Sequence, residues 1–86
     1  MRNILFENVA FNDIAHWLKN DPRLLKKIIQ LLENIQQTPY EGLGKPESLK
    51  HELQGYWSRR IDAEHRLIYR IEEHSIIVIS CRYHYN

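Results

Sequence analysis

The stretch Arg66-Leu67-Ile68-Tyr69-Arg70-Ile71, Glu72-Glu73-His74-Ser75, Ile76-Ile77-Val78-Ile79 decides the fold. Leu67, Tyr69 and Ile71 alternate with Arg66, Ile68 and Arg70, the period of two that suits a strand with one buried face. Glu72 to Ser75 is too short for a crossover and reads as a turn between antiparallel strands. The second strand runs from Ile76 to about Tyr83. Upstream, Tyr56 to Ile61 reads as a further strand, joined to Arg66 by the turn Asp62-Ala63-Glu64-His65. Three strands linked this way form a meander.

Toward the N-terminus the period changes. Ala10, Ile14, Trp17 and Leu18 recur at helical spacing and make one apolar stripe. Asn20-Asp21-Pro22 ends that helix and starts another, with Asp21 as N-cap and Pro22 at the first helical position. The second helix runs to about Gln37 on a stripe of Leu25, Ile28, Ile29, Leu32 and Ile35, widened by Leu24 and Leu31. Pro39 stops it. Arg2 to Phe6 reads as a short opening strand. The expected fold is α+β: two N-terminal helices packed on one face of a small, mainly antiparallel sheet. The other face, bearing arginines, is left open. All 86 residues make one domain with one modest core.

Residues 38–55 differ in kind. Pro39, Gly42, Gly44, Pro46 and Gly55 fall here, with few residues suited to a core. Loops this long in so small a domain are usually functional or disordered. Pro46 to Lys50 reads as a short helical turn within it.

Composition excludes several classes. The lone cysteine, Cys81, cannot form an internal disulfide and reads as a small core residue. His16, His51, His65, His74 and His84 show no ligand spacing, so no metal or other cofactor is expected. No N-terminal run has the order of a signal peptide, and the longest apolar stretch is too short for a membrane. The expected location is the cytoplasm. Net charge is +1, from 12 basic and 11 acidic residues, which argues against coating nucleic acid by charge alone. Arg59, Arg60, Arg66, Arg70 and Arg82 nevertheless crowd the last third and can build a local anion site.

RNA cleavage by its own 2′-hydroxyl needs a base, an acid and cations on the phosphate. Glu47, Lys50, Arg59, Arg60, Arg66, His84 and Tyr85 suffice for this, though composition alone does not single them out. Each has an ordinary reading too: Lys50 as a solvated lysine, Arg59 and Arg60 pointing to opposite faces with one a mere surface charge, and His84 and Tyr85 as a frayed end.

Longer blocks narrow the choice. Thr38-Pro39-Tyr40-Glu41-Gly42 precedes Gly44-Lys45-Pro46-Glu47-Ser48-Leu49-Lys50. Then come Gly55-Tyr56-Trp57-Ser58-Arg59-Arg60-Ile61, Glu64-His65-Arg66-Leu67-Ile68-Tyr69 and the closing Cys81-Arg82-Tyr83-His84-Tyr85. In these blocks, over nearly the whole chain, the sequence closely resembles the YoeB/Txe toxins of the RelE superfamily. The resemblance implies a metal-independent endoribonuclease that cuts messenger RNA in the ribosomal A site. It implies Glu47 as general base, Arg66 as ligand of the transition-state phosphate, His84 as general acid and Tyr85 as a shaping residue. The roles of Glu47 and His84 are exchangeable at this level. Lys50, Arg59 and Arg60 look like RNA contacts, and Arg82 joins them on the expected anion-seeking face. The implied partners are the ribosome with its messenger, a Phd/YefM-type antitoxin whose C-terminal segment folds on binding, and a second copy in a homodimer.

Two departures stand out. Asn86 extends the chain past the His-Tyr that often ends the family, and +1 is a low charge for a protein docking on ribosomal RNA. Strand parity adds a condition. With a four-residue turn, Ile71 opposes Ile76 and Arg66 opposes Cys81, so His84 falls on the face away from Arg66. The catalytic reading then requires an odd-length turn, a β-bulge, or a C-terminus that curls out of the strand. Two alternatives stay open: a toxin of the same fold that inhibits DNA gyrase, as ParE-like members do, and a non-catalytic RNA-binding module.

Overall fold

A computed structural model describes residues 1–83. Strand β1 (Asn3–Phe6) leads into helices α1 (Asn8–Asn20) and α2 (Pro22–Gln37). Strands β2 (Glu47–Ser48), β3 (Trp57–Arg60), β4 (Arg66–Ile71) and β5 (Ser75–Ser80) follow. They form one sheet in the order β1-β5-β4-β3-β2. β1 runs parallel to β5, and the remaining pairs are antiparallel. The expected α+β arrangement is present, with a mixed sheet.

Local sequence explains the helix boundaries. The Asp21 carboxylate accepts the Leu24 N–H at 3.4 Å, and Pro22 begins α2 where its missing N–H leaves no bond unmade. Ala10 and Trp17 of α1 join Ile28, Leu31, Leu32 and Ile35 of α2 in a core against Ile61, Leu67, Tyr69, Ile76, Val78 and Cys81. Burying each large aliphatic side chain contributes about 1.5–3 kcal/mol. The stripes are narrower than their sequence pattern. Leu18 is 64% exposed and Ile29 is 46% exposed. Each follows a buried neighbour, Trp17 or Ile28, and is turned away from it by about 100° of helix.

The β4–β5 hairpin keeps the expected register, Ile71 opposite Ile76, closed by Glu72 N–H donating to Ser75 C=O at 2.8 Å. A β-bulge then intervenes. Tyr69 pairs with Val78, but Ile68 pairs with Ser80, leaving Ile79 as the extra residue. Faces exchange there. Ile76 and Val78 point to the helices, and the next residue to do so is Cys81 rather than Ser80. Arg66 therefore does not oppose Cys81. Its backbone N–H donates to Tyr83 C=O at 3.1 Å.

Two further expectations are corrected. The short helical turn expected over Pro46 to Lys50 is instead the two-residue strand β2, paired to β3 with Glu47 opposite Ser58. A single 3-10 turn comes later, at His51–Leu53. The sheet face away from the helices is also less bare than its arginines suggest. Ile68 and Ile77 on it are buried outside the helix-side core.

Candidate active site

Three strands bring Glu47, Ser58 and Arg66 together on the face opposite the helices. The Glu47–Ser58 and Arg60–Arg66 pairings align them. Arg66 Nη2 lies 3.2 Å from Glu47 Oε1. Arg66 Nε donates a short hydrogen bond to Ser58 Oγ. The arginine side chain is only 17% exposed, whereas that of Glu47 is 63% exposed. A guanidinium has five N–H donors in a planar fork that matches a phosphate, and most of these remain for an anion among the described residues. The geometry thus sets a solvent-accessible carboxylate beside a guanidinium held in place by Ser58.

The sequence blocks include Ser58 but give it no role. It is 1% exposed and holds the arginine from behind. Its signal was parity: a small hydroxyl residue two positions before Arg60 shares the face of the strand that opposes Arg66.

Arg59, expected to contact RNA, is corrected. It points to the helix side and is completely buried. Its Nε donates to Tyr69 Oη at 3.0 Å, and Nη2 donates to Thr38 C=O at 2.7 Å and Glu41 C=O at 2.9 Å. Nη1 reaches Asn34 Oδ1 and, at 3.1 Å, Leu43 C=O. A buried guanidinium must satisfy its donors, and here the chain itself wraps around it. Residues 38–43 take their course from this clamp. Gly42, at φ +116°, has no space for a side chain, since a Cβ would overlap Asn34 Oδ1.

Arg60 is exposed and lines, with Lys27, Lys45, Leu31 and Leu43, a hollow of about 360 Å³. Lys50 is exposed beside His51 and Trp57 around a hollow of about 450 Å³. The Arg82 guanidinium carbon sits 4.6 Å from the centroid of the Tyr83 ring. His84 and Tyr85, the remaining expected site residues, lie outside the described residues.

One other side chain bears on chemistry. Burial, with help from the Asp13 carboxylate, pushes the Cys81 thiol up to about 12, so it is no nucleophile near neutral pH. Among the described residues no group of three or more His, Cys, Asp or Glu side chains is placed to hold a metal ion. No helix among them is long and apolar enough to cross a membrane.

A family model described as the YoeB-like toxin of bacterial type II toxin-antitoxin systems matches residues 6–85. The chain belongs to this family. Toxin YoeB of Escherichia coli K12 is 45% identical over 82 residues, which cover 95% of this chain and 98% of that toxin. The structure of a YoeB dimer from Staphylococcus aureus superposes with a TM-score of 0.92 at 47% identity, covering 98% of each chain. A heterotetrameric YoeB-YefM toxin-antitoxin complex from the same organism gives 0.91 at 46% identity, covering 99% of each. This YoeB-family chain is therefore a toxin of a toxin–antitoxin system, and its fold is that of its relatives.

Proposed function

We propose that this toxin is a ribosome-dependent endoribonuclease that cleaves messenger RNA in the A site by metal-independent acid–base chemistry. The observation that carries the reading is the Glu47 carboxylate 3.2 Å from the Arg66 guanidinium. Glu47 takes the 2′-hydroxyl proton, and the freed oxygen attacks the adjacent phosphorus. Arg66, steadied by Ser58, holds the charge that grows on the phosphate oxygens. The bond from phosphorus to the 5′-oxygen breaks, and His84 donates the proton that the leaving oxygen needs. Tyr85 helps to shape the site. The products are a 2′,3′-cyclic phosphate and a 5′-hydroxyl.

The site is an open surface, so the ribosome must supply the alignment of the 2′-oxygen with the phosphate. Arg60, Lys50 and Arg82 are the cations proposed to meet RNA. The toxin acts in the cytoplasm and is neutralised by a YefM-type antitoxin, as the relative's complex suggests, with an acidic segment attracted to Arg66 and its neighbours. A homodimer is proposed on the same footing.

The deciding experiment is cleavage of messenger on programmed ribosomes, with end-group analysis of the products. Cyclic phosphate ends and ribosome-dependent cutting are expected. A 5′-phosphate at the cut, or equally fast cutting of free RNA, would overturn the reading. A model substrate with a good 5′-leaving group assigns the roles: it should rescue His84→Gln and leave Glu47→Gln inactive.

A further inference from the structure

We infer that His65 is a positioning residue, whose imidazole latches the backbone at Tyr83, next in sequence to the proposed acid His84. The inference rests on the proposed role of His84 as the acid.

The segment after β5 is not held by strand pairing alone. Three side chains from elsewhere in the fold grip its backbone. Asp13 Oδ2 accepts the Cys81 N–H at 2.9 Å. Trp17 Nε1 donates to the Cys81 C=O at 2.9 Å. His65 Nδ1 accepts the Tyr83 N–H at 2.7 Å. The Arg66 N–H then donates to the Tyr83 C=O, so the residue beside the latch is also the phosphate ligand of the site.

His65 is itself fixed. It is 7% exposed, its ring meets the Trp17 ring edge-on at 4.7 Å, and its backbone N–H donates to Asp62 Oδ1 at 2.7 Å. Its Nε2 lies 3.5 Å from Glu64 Oε1. An imidazole that accepts at Nδ1 carries its proton at Nε2, and Glu64 faces that proton. Tyr83 adopts φ +68°, a conformation uncommon for a side-chain-bearing residue. The bond to His65 holds Tyr83 in this conformation.

A histidine that merely filled space would need its ring and not its Nδ1 lone pair. Asparagine separates the two roles, because its Oδ1 stands at the same bond distance from the backbone as Nδ1. The test uses the full chain with His65→Asn, His65→Leu and, from the other side of the grip, Trp17→Phe. Exchange of the Tyr83 amide is followed by NMR, and cleavage is measured on programmed ribosomes at saturation and below it.

In His65→Leu the Tyr83 amide should exchange at least about tenfold faster, and kcat should fall about 10²-fold with KM unchanged, the cost of a misplacement near 1 Å. His65→Asn should stay near the wild type in both. Trp17→Phe keeps an aromatic ring against His65, loses one grip and should fall between them, which holds the test open if His65→Leu fails to fold. Unchanged amide exchange in folded His65→Leu, or loss of activity in His65→Asn equal to that in His65→Leu, overturns the latch. No cleavage by the wild type overturns the nuclease reading instead, and the exchange measurement still decides the latch.

Discussion

Ser58 Oγ accepts the Nε–H of Arg66, so the arginine that faces Glu47 is anchored by a hydroxyl on the neighbouring strand. Ser58→Ala should leave ribosome binding intact and lower the single-turnover rate, on the order of tenfold, because the guanidinium gains freedom to rotate away from the phosphate. Ser58→Thr should restore much of the loss. A rate unchanged in Ser58→Ala would show that Glu47 and the strand alone orient Arg66.

Glu47→Gln should lower the cleavage rate on the order of 10²–10⁴-fold. Its side chain is largely exposed, and its ion pair with Arg66 is worth at most about 1 kcal/mol. Urea denaturation should therefore place the variant close to the wild type. Arg66→Ala should act mainly on the chemical step, since the charge that Arg66 meets grows in the transition state.

Arg59→Met should destabilise the protein by about 1–3 kcal/mol, because it takes the donors away from the part-buried carbonyls of Thr38, Glu41 and Leu43. Urea unfolding measures the loss. Arg59→Lys should recover little, since one ammonium cannot reach the acceptors a guanidinium spans. Binding of Arg59→Lys to ribosomes, where the variant is folded, should keep the wild-type salt dependence. A shallower dependence would return Arg59 to the RNA-contacting set.

Iodoacetamide at neutral pH should leave Cys81 unmodified in the folded protein and alkylate it promptly in denaturant. The thiol is buried, and burial together with Asp13 pushes it up to about 12, so little reactive thiolate exists. Mass spectrometry reads both arms. Rapid labelling under native conditions would mean that the segment after β5 opens readily.

Acid should loosen the β3–β4 turn. Burial alone would raise the Asp62 carboxyl, but hydrogen bonds from the His65 and Glu64 backbone N–H groups outweigh it and the net shift is downward. A carboxyl lowered by folding adds stability that is present above its unfolded value and is lost as pH falls through its folded value. Unfolding curves below about pH 4 should therefore fall more steeply for the wild type than for Asp62→Asn. Parallel curves would show that the turn does not depend on the charge.

Much of this was written in local patterns. Period-two alternation in Arg66 to Ile71 and the four-residue turn after it are short-range signals, and the β4–β5 register followed from them. Asp21-Pro22 marked a helix start for the same reason. Arg59 was illegible because its partners, Asn34 and the carbonyls of Thr38, Glu41 and Leu43, are gathered from a helix and a loop far away in sequence. An isolated arginine in a strand looks the same whether it meets solvent or a ring of carbonyls. The bulge at Ile79 was legible only as a requirement. Alternation could say that a change of face was needed, but not where, because Ile76 to Ile79 are all apolar and fit either face. Glu47 was found through the blocks around it, whereas its strand was missed: two residues are too few for a period.

The strand made first, β1, pairs with the strand made last, β5. A nascent chain on its way out of a translating ribosome thus has its first strand without a neighbour. Ile76, Val78 and Cys81, which the helices need beneath them, arrive only after β2, β3 and β4 have been made. Contacts so distant in sequence form late. A copy that stops before β5 leaves the helices without Ile76, Val78 and Cys81 beneath them, so a folded toxin forms only once β5 has been made.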